Sequence, residues 1–263
     1  MDDQRTETSR QLSQRKRRAL LLLIGAWSLL IAVFLAWDTR VTLDNMYEAT
    51  LIQARAISDK DSLHRRWAST SGGIYMNMAG GVKPNPYLAD HPHRDIRSED
   101  GIELTLVNPE YMSRMVSELQ ERSSGISTRM THPHPINPQN APDDWERNAL
   151  EKIFTGVPEV TGIVERGEQS FRRLMTPLIG EAGCVRCHTG EDYHRGNIFG
   201  GLSVTIPMQS FRKNAVMDII SHWATHLLIW FCGATGIVIA WRSHFRHELA
   251  RQMGESELKC AVE

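Results

Sequence analysis

Cysteine is scarce in this sequence, and its scarcity limits the chemistry that the chain can support. The 263 residues include four cysteines, of which only Cys184 and Cys187 stand close together. A structural zinc site usually takes four Cys or His ligands arranged as two spaced pairs. No second Cys-x-x-Cys pair exists in the chain. The cysteine content therefore does not favour a zinc finger.

An excess of charge is also missing. The chain has 30 Lys and Arg against 31 Asp and Glu, a formal net charge of -1. Nucleic-acid-binding domains usually carry a basic surplus, so we predict no nucleic-acid partner. The chain also has no phosphate-binding loop, no Ser-His-Asp or Cys-His catalytic pattern and no convincing carboxylate pair. We therefore predict that it is not an enzyme and assign no catalytic residue.

Two long apolar runs, residues 19–37 and 219–241, predict transmembrane helices. Basic residues crowd the positions just before the first run and just after the second. The positive-inside rule then places both termini in the cytoplasm and the segment between the runs outside. A cleaved signal peptide is the alternative for the first run. That run is longer than a usual signal core, however, and no clean Ala-x-Ala site follows it.

The apolar runs also define the expected domain organisation. We predict a bacterial inner-membrane protein with its large central domain in the periplasm. The predicted parts are a cytoplasmic basic arm (1–18), a transmembrane helix (19–37), the periplasmic domain (38–218), a second transmembrane helix (219–241) and a cytoplasmic tail (242–263).

The stretch Cys184-Val185-Arg186-Cys187-His188 is the attachment signature of a c-type haem. Thiols three residues apart on a helical turn face the same side, so both can bond one porphyrin. His188 follows at once and can ligate the iron. A thioredoxin-like dithiol is the alternative, but it needs no adjoining histidine. We predict one covalent haem c, attached to Cys184 and Cys187, with His188 as its axial metal ligand.

The rest of the central domain mixes short helical and extended patterns, which indicates an α+β fold. Helical periodicity covers 41–67, 111–122 and 143–154. Proline-rich segments at 83–97 and 131–142 are predicted loops. Predicted strands cover 74–78, 102–107, 163–165, 169–175 and 200–208, the third and fourth forming a hairpin about Gly167.

A set of ordered motifs between about residues 40 and 210 resembles the Tll0287-like haem domain, also called the domain of unknown function 3365 family. The resemblance implies a PAS-like fold, in which helices flank a five-stranded antiparallel sheet, here inserted between two transmembrane helices. It also implies one c-type haem and a sensory role. The motifs are Gly72-Gly73-Ile74-Tyr75, Leu106-Val107-Asn108-Pro109, Asn137-Pro138-Gln139-Asn140-Ala141-Pro142-Asp143, Trp145-Glu146, Met175-Thr176-Pro177-Leu178, Cys184 to His188 and Gly200-Gly201.

The second axial ligand of the iron does not follow from the resemblance. Many relatives have histidine directly before the Gly-Gly pair, where this chain has Ser71. Met76 is our candidate for this distal position, because a thioether is an acceptable iron ligand. An open sixth position is an equal alternative. Other candidates are Met78, His64, His91, His93, His132 and His134.

The leading prediction is a membrane-anchored periplasmic monohaem protein that acts as a redox or gas sensor. The alternative is an electron-transfer cytochrome c subunit of a respiratory or photosynthetic membrane complex, and a haem-dependent enzyme is a weaker third reading. Residues 242–263 are too few for a kinase or cyclase domain. A sensor would therefore signal through a membrane signalling or redox partner protein. A second copy of the chain is a further candidate partner.

Overall fold

The computed structural model describes residues 2–180 and 196–262. Side chains are described for 14–180, 196–248, 250–251 and 253–254. The predicted haem residues Cys184, Cys187 and His188 lie outside the described residues. The chain divides into two units, Met1–Asn45 with Lys213–Glu263, and Met46–Arg212.

Two long helices carry the apolar runs. Helix α1 covers Asp2–Thr70 and helix α4 covers Gln209–Val262. Each contains an 18-residue window long and apolar enough to cross a membrane, with mean hydropathies of 2.6 and 1.6. The predicted helix over 41–67 is confirmed as part of α1, whose only glycine is Gly25 and which contains no proline.

Within the first unit, polar contacts join α1 to α4. The Trp27 indole donates to the Trp230 carbonyl at 3.1 Å, and the Trp230 indole donates to the Ser28 hydroxyl at 2.9 Å. A Cβ at Gly233 would lie 2.3 Å from the Trp27 ring, so glycine there lets the indole approach closely. His226 Nε2 lies 3.3 Å from Asp38 Oδ2.

The second unit is an α+β domain, as the sequence predicts. Its described α-helices, besides the end of α1 and the start of α4, are α2 (Pro109–Ser124) and α3 (Asp144–Phe154). Asp143 and Glu146 form a capping box that fixes the start of α3. The described strands are β1 (Ile74–Asn77), β2 (Asp95–Arg97), β3 (Glu103–Val107), β4 (Ser127–Thr131), β5 (Val160–Arg166), β6 (Gln169–Ile179) and β7 (Ile198–Pro207).

The described strands form two antiparallel sheets, of three and four strands, where the resemblance implies one sheet of five. The first sheet has the order β1-β3-β2 and the second has the order β4-β7-β6-β5. The reason lies at Asn108-Pro109, where β3 ends and α2 begins. Helix α2 separates β3 from β4 and carries the chain into the second sheet. The predicted hairpin at Gly167 is confirmed as β5 and β6.

Helices cover both faces of the four-stranded sheet. On one face, Leu51 and Ala54 of α1 pack against Leu174, Val204 and Ile206. On the other face, residues of α3 pack against Met175. Successive strand residues point to opposite faces, so neighbouring positions 174 and 175 of β6 serve the two cores.

Two strands were not predicted. Strand β2 lies within the predicted loop at 83–97 and is exposed along its length. Strand β4 is mostly polar and shows no apolar alternation. Both form by pairing with distant strands, β2 with β3 and β4 with β7. A pattern search within a short window does not detect such pairing.

Candidate functional site

A cavity of about 460 Å³ lies in the second unit between α1 and one end of the four-stranded sheet. Residues from Ser58 to Ser69 of α1 line one side. The ends of β4, β6 and β7 line another, through Met130, Leu178 and Phe199. The two loops that carry Asn85 and Asn137, together with the start of α2, complete the described lining.

The strand register places one row of side chains on the face of the sheet that is turned towards α1. Met130 pairs with Leu202, and Leu202 pairs with Thr176, so the three residues lie side by side on three strands. Directly opposed residues of antiparallel strands project from the same face. The Thr176 hydroxyl lies 2.8 Å from the Ser58 hydroxyl of α1, within hydrogen-bond distance. Met130 therefore shares the α1-facing side of the sheet with Thr176.

Asparagine side chains hold the loops that line the cavity. Asn85 donates from its amide to Asn108 Oδ1 at 3.2 Å, and Asn108 also caps α2. The Tyr87 hydroxyl donates to Asn137 Oδ1 at 3.0 Å. Asn137 is 4% exposed, and its Nδ2 donates to no acceptor within the described part of the chain. A buried amide donor without an acceptor is costly, which suggests that a ligand completes this site.

The cavity lining also carries charge of both signs. Arg65 and Arg66 contribute guanidinium groups, and Asp59 and Glu110 contribute carboxylates. Glu110 is already engaged, because it lies 3.7 Å from Arg114 and accepts a hydrogen bond from Asn140 at 3.2 Å. Apolar side chains at Leu88, Ile136, Leu178, Ile179 and Phe199 make up much of the remaining wall. Such a surface suits a largely apolar ligand that carries acidic groups.

The segment with the predicted haem motif begins and ends at this cavity. The Gly180 N–H donates to the Asn197 carbonyl, and the Gly196 N–H donates to the Gly180 carbonyl, both at 2.9 Å. Ile179 and Phe199, just outside these glycines, line the cavity. The described residues on either side of the segment that carries the predicted haem motif therefore border the cavity.

The residues predicted as candidates for the second axial ligand lie in different parts of the fold. Met76 lies on β1, is 38% exposed and is not among the described residues that line the cavity. Its role as a ligand stays a prediction. Ser71 is exposed and donates to the Trp67 carbonyl at the end of α1. Of the histidine candidates His64, His91, His93, His132 and His134, the described lining includes His132.

Sequence reasoning missed Met130 as a cavity residue. The methionine stands on β4, which has no recognisable strand pattern. Its position beside the cavity depends on pairing with β7. No signal in the local sequence could have found it.

Asp61, one turn of α1 from Arg65, should make stability depend on pH. Burial raises the pKa of Asp61, and Arg65, the Ser113 hydroxyl and His64 only partly offset this effect. A carboxyl with a raised pKa stabilises the fold fully only below its ordinary value of 3.8, and this stabilisation is lost as pH rises. We expect Asp61→Asn to stabilise the protein against urea at pH 7 and to have little effect near pH 3.

Asp95→Asn is the control, because it should change the stability at pH 7 in the opposite direction. Hydrogen bonds from Arg94 and Thr105 lower the pKa of Asp95, so this carboxylate stabilises the fold at neutral pH. The variant should therefore lose stability at pH 7. Loss of stability at pH 7 in Asp61→Asn as well would contradict the assignment of Asp61 as a carboxyl dominated by burial.

Comparison with known proteins gave a family match and a similar solved structure. Residues 42–207 match the model of the Tll0287-like family. The crystal structure of the cyanobacterial heme-protein Tll0287 is similar, with a TM-score of 0.40 and 15% sequence identity. That alignment covers 60% of this chain and 94% of the other. The comparison with curated proteins gave no match. Because the family model spans more than half of its residues, the chain belongs to the Tll0287-like family.

Proposed function

We propose that the chain is a membrane-anchored haem protein that acts as a redox or gas sensor. In this proposal the domain between the apolar runs lies in the periplasm of a bacterial inner membrane, and both termini are cytoplasmic. It binds one haem c through Cys184, Cys187 and His188. One observation carries the proposal, namely that residues 181–195, which contain the haem motif, leave and rejoin the described fold at the edge of the cavity.

The chemistry of the cavity fits a haem. Its volume of about 460 Å³ lies within the range of about 300–1,000 Å³ usual for cofactor sites. A haem is an apolar ring with two carboxylates, and Leu178 and Phe199 suit the ring while Arg65 and Arg66 suit the acids. The unpartnered Asn137 amide is a further donor for such a group. When bound, the haem supplies an iron that changes oxidation state or takes up a small molecule.

Membership of the Tll0287-like family supports haem binding. The solved relative is described as a haem protein, and the Cys-x-x-Cys-His motif of this chain is the signature of covalent attachment. The two apolar helices support membrane anchoring. The basic residues that border both runs support cytoplasmic termini.

Contacts between β6 and α1 favour a sensor over a simple electron carrier. Strand β6 leads into the haem segment, and its Thr176 contacts Ser58 of α1. Further back on β6, Arg172 donates to the Thr50 hydroxyl and the Tyr47 carbonyl, each at 3.1 Å. A shift at the cavity end of β6 would therefore act on α1 at several points. Helix α1 also contains the first apolar run.

Hydrogen–deuterium exchange on the full-length haem-loaded protein in detergent tests this proposal. We expect the amides of residues 47–70 in α1 to exchange at different rates in the ferric, ferrous and carbon monoxide-bound states. A coupling of about 1–3 kcal/mol corresponds to about a 5- to 150-fold change. The exposed strand β2 should exchange equally in all three states and serves as the internal control.

The same experiment can favour electron transfer instead. An electron carrier needs no conformational response, so exchange in α1 would be identical in the three states. That result would contradict the sensor proposal and favour the cytochrome subunit.

A further inference from the structure

Three of the described cavity residues have side chains that haem iron accepts as axial ligands. They are Tyr87, Met130 and His132, which offer a phenol oxygen, a thioether sulfur and an imidazole nitrogen. Since His188 of the motif is expected on one side of the iron, one of these groups could occupy the other side. Their hydrogen bonds distinguish them.

Tyr87 and His132 are held as hydrogen-bond partners of nearby loops. The Tyr87 hydroxyl donates to Asn137, and this bond would be lost if the oxygen bound iron as a phenolate. His132 Nδ1 accepts the N–H of His134 at 2.9 Å. A neutral imidazole that accepts at Nδ1 carries its proton on Nε2, and a protonated nitrogen cannot bind a metal. In this arrangement His132 Nε2 is a hydrogen-bond donor and does not ligate the iron.

For Met130, binding to iron would not compete with a hydrogen bond. A thioether carries no proton and is only a weak hydrogen-bond acceptor, so binding a metal costs it no hydrogen bond. The side chain is half-buried on the α1-facing side of the sheet, in the row that includes Thr176. Methionine is also flexible enough to adjust to a bound ring.

We propose that Met130 is the second axial ligand of the haem iron, opposite His188. This inference rests on the proposed haem c and replaces Met76 as the candidate for the distal position. The thioether would hold the iron six-coordinate and low-spin. A small molecule would then reach the iron only by displacing Met130, which is next to Thr131 and His132 at the end of β4.

The test compares Met130→Ala with the matched variant Met76→Ala in the full-length haem-loaded protein. We expect the ferric wild type to show a low-spin electron paramagnetic resonance signal and an absorption band from thioether-to-iron charge transfer. Met130→Ala should lose both and should bind carbon monoxide faster when reduced. Met76→Ala should behave as wild type.

Met130→His keeps the test decisive if the alanine variant fails to fold. An imidazole at position 130 should retain the low-spin signal, lose the charge-transfer band and lower the reduction potential, because imidazole favours ferric iron more than a thioether does. A high-spin ferric wild type, an unchanged Met130→Ala spectrum, or loss of the band in Met76→Ala would each overturn the assignment of Met130. Absence of covalent haem from the wild type would instead overturn the proposed function.

Discussion

Replacing Glu146 by alanine should destabilise the domain of residues 46–212 by about 3–5 kcal/mol, as expected when one member of a buried ion pair is removed. The Glu146 side chain is fully buried. Its Oε1 accepts from Arg173 at 2.7 Å, and its Oε2 lies 3.2 Å from Arg129. Arg173 itself is 2% exposed, so loss of Glu146 leaves a guanidinium that water cannot solvate.

Asp143 does not fully replace the lost carboxylate. It accepts from Arg173 Nη1 at 2.7 Å, whereas Glu146 accepts from Nη2. Burial opposes ionisation of Asp143, but the Glu146 N–H and the Arg173 guanidinium outweigh it and lower the pKa of Asp143. Asp143 thus remains an anion in the variant. Among the described residues, Glu146 is the only carboxylate that accepts from Arg173 Nη2. Its loss is therefore not replaced at that nitrogen.

Asp144→Ala in the same helix is the matched control. Asp144 pairs with Arg147, but both side chains are largely exposed, so the pair contributes about 0–1 kcal/mol. Chemical unfolding of the full chain in detergent, followed by circular dichroism, measures both variants. A loss below about 1 kcal/mol in Glu146→Ala would contradict the structural role of the pair. The double variant Glu146→Ala with Arg173→Met should cost less than the sum of the single changes, because no buried charge is left alone.

This ion pair shows what the sequence can and cannot predict. The spacing of residues over 143–154 predicts a helix, and the structure confirms it as α3. The spacing does not reveal that Glu146 points into the core towards Arg173. Arginine and glutamate are both mostly exposed in proteins, so their burial follows only once α3 packs on β6.

The glycine pair at 200–201 gives a similar lesson. Its place in a predicted strand is confirmed, and glycine in a strand often marks a close approach of another chain segment. The structure identifies the neighbours. A Cβ at Gly200 would lie 2.6 Å from the Thr131 carbonyl oxygen, and one at Gly201 would lie 2.6 Å from the Met175 sulfur. Thr131 belongs to β4. Because β4 was not predicted, the close approach of its backbone to Gly200 could not be predicted either.

Part of the candidate site could likewise be predicted from local sequence, and part of it could not. The haem motif is local in sequence and could be recognised without a structure. The cavity is assembled from α1, the start of α2, three strands and two loops that are far apart in the chain. Met130 reaches it through pairing of β4 with β7, a contact that depends on the whole sheet. The prediction of Met76 rested on its thioether, and Met76 is not among the described residues that line the cavity.

Removing both motif thiols should abolish covalent haem binding completely, which is the largest effect that we expect. A c-type haem is held by two thioether bonds, one to each cysteine. In the Cys184→Ala and Cys187→Ala double variant no thiol remains between residues 38 and 218, because Cys232 and Cys260 follow residue 218. His188 alone can bind iron, but it cannot hold a haem in a denatured chain. The Cys232→Ala variant should keep its haem and is the matched control.

Peroxidase staining for haem after denaturing gel electrophoresis, on protein expressed with a cytochrome c maturation system, tests the central claim most directly. We predict one haem-stained band at the mass of the full chain for the wild type and for Cys232→Ala. We predict no such band for the double variant at equal protein load. A wild-type chain without stain, or a double variant that stains as strongly as wild type, would contradict covalent haem attachment at Cys184 and Cys187.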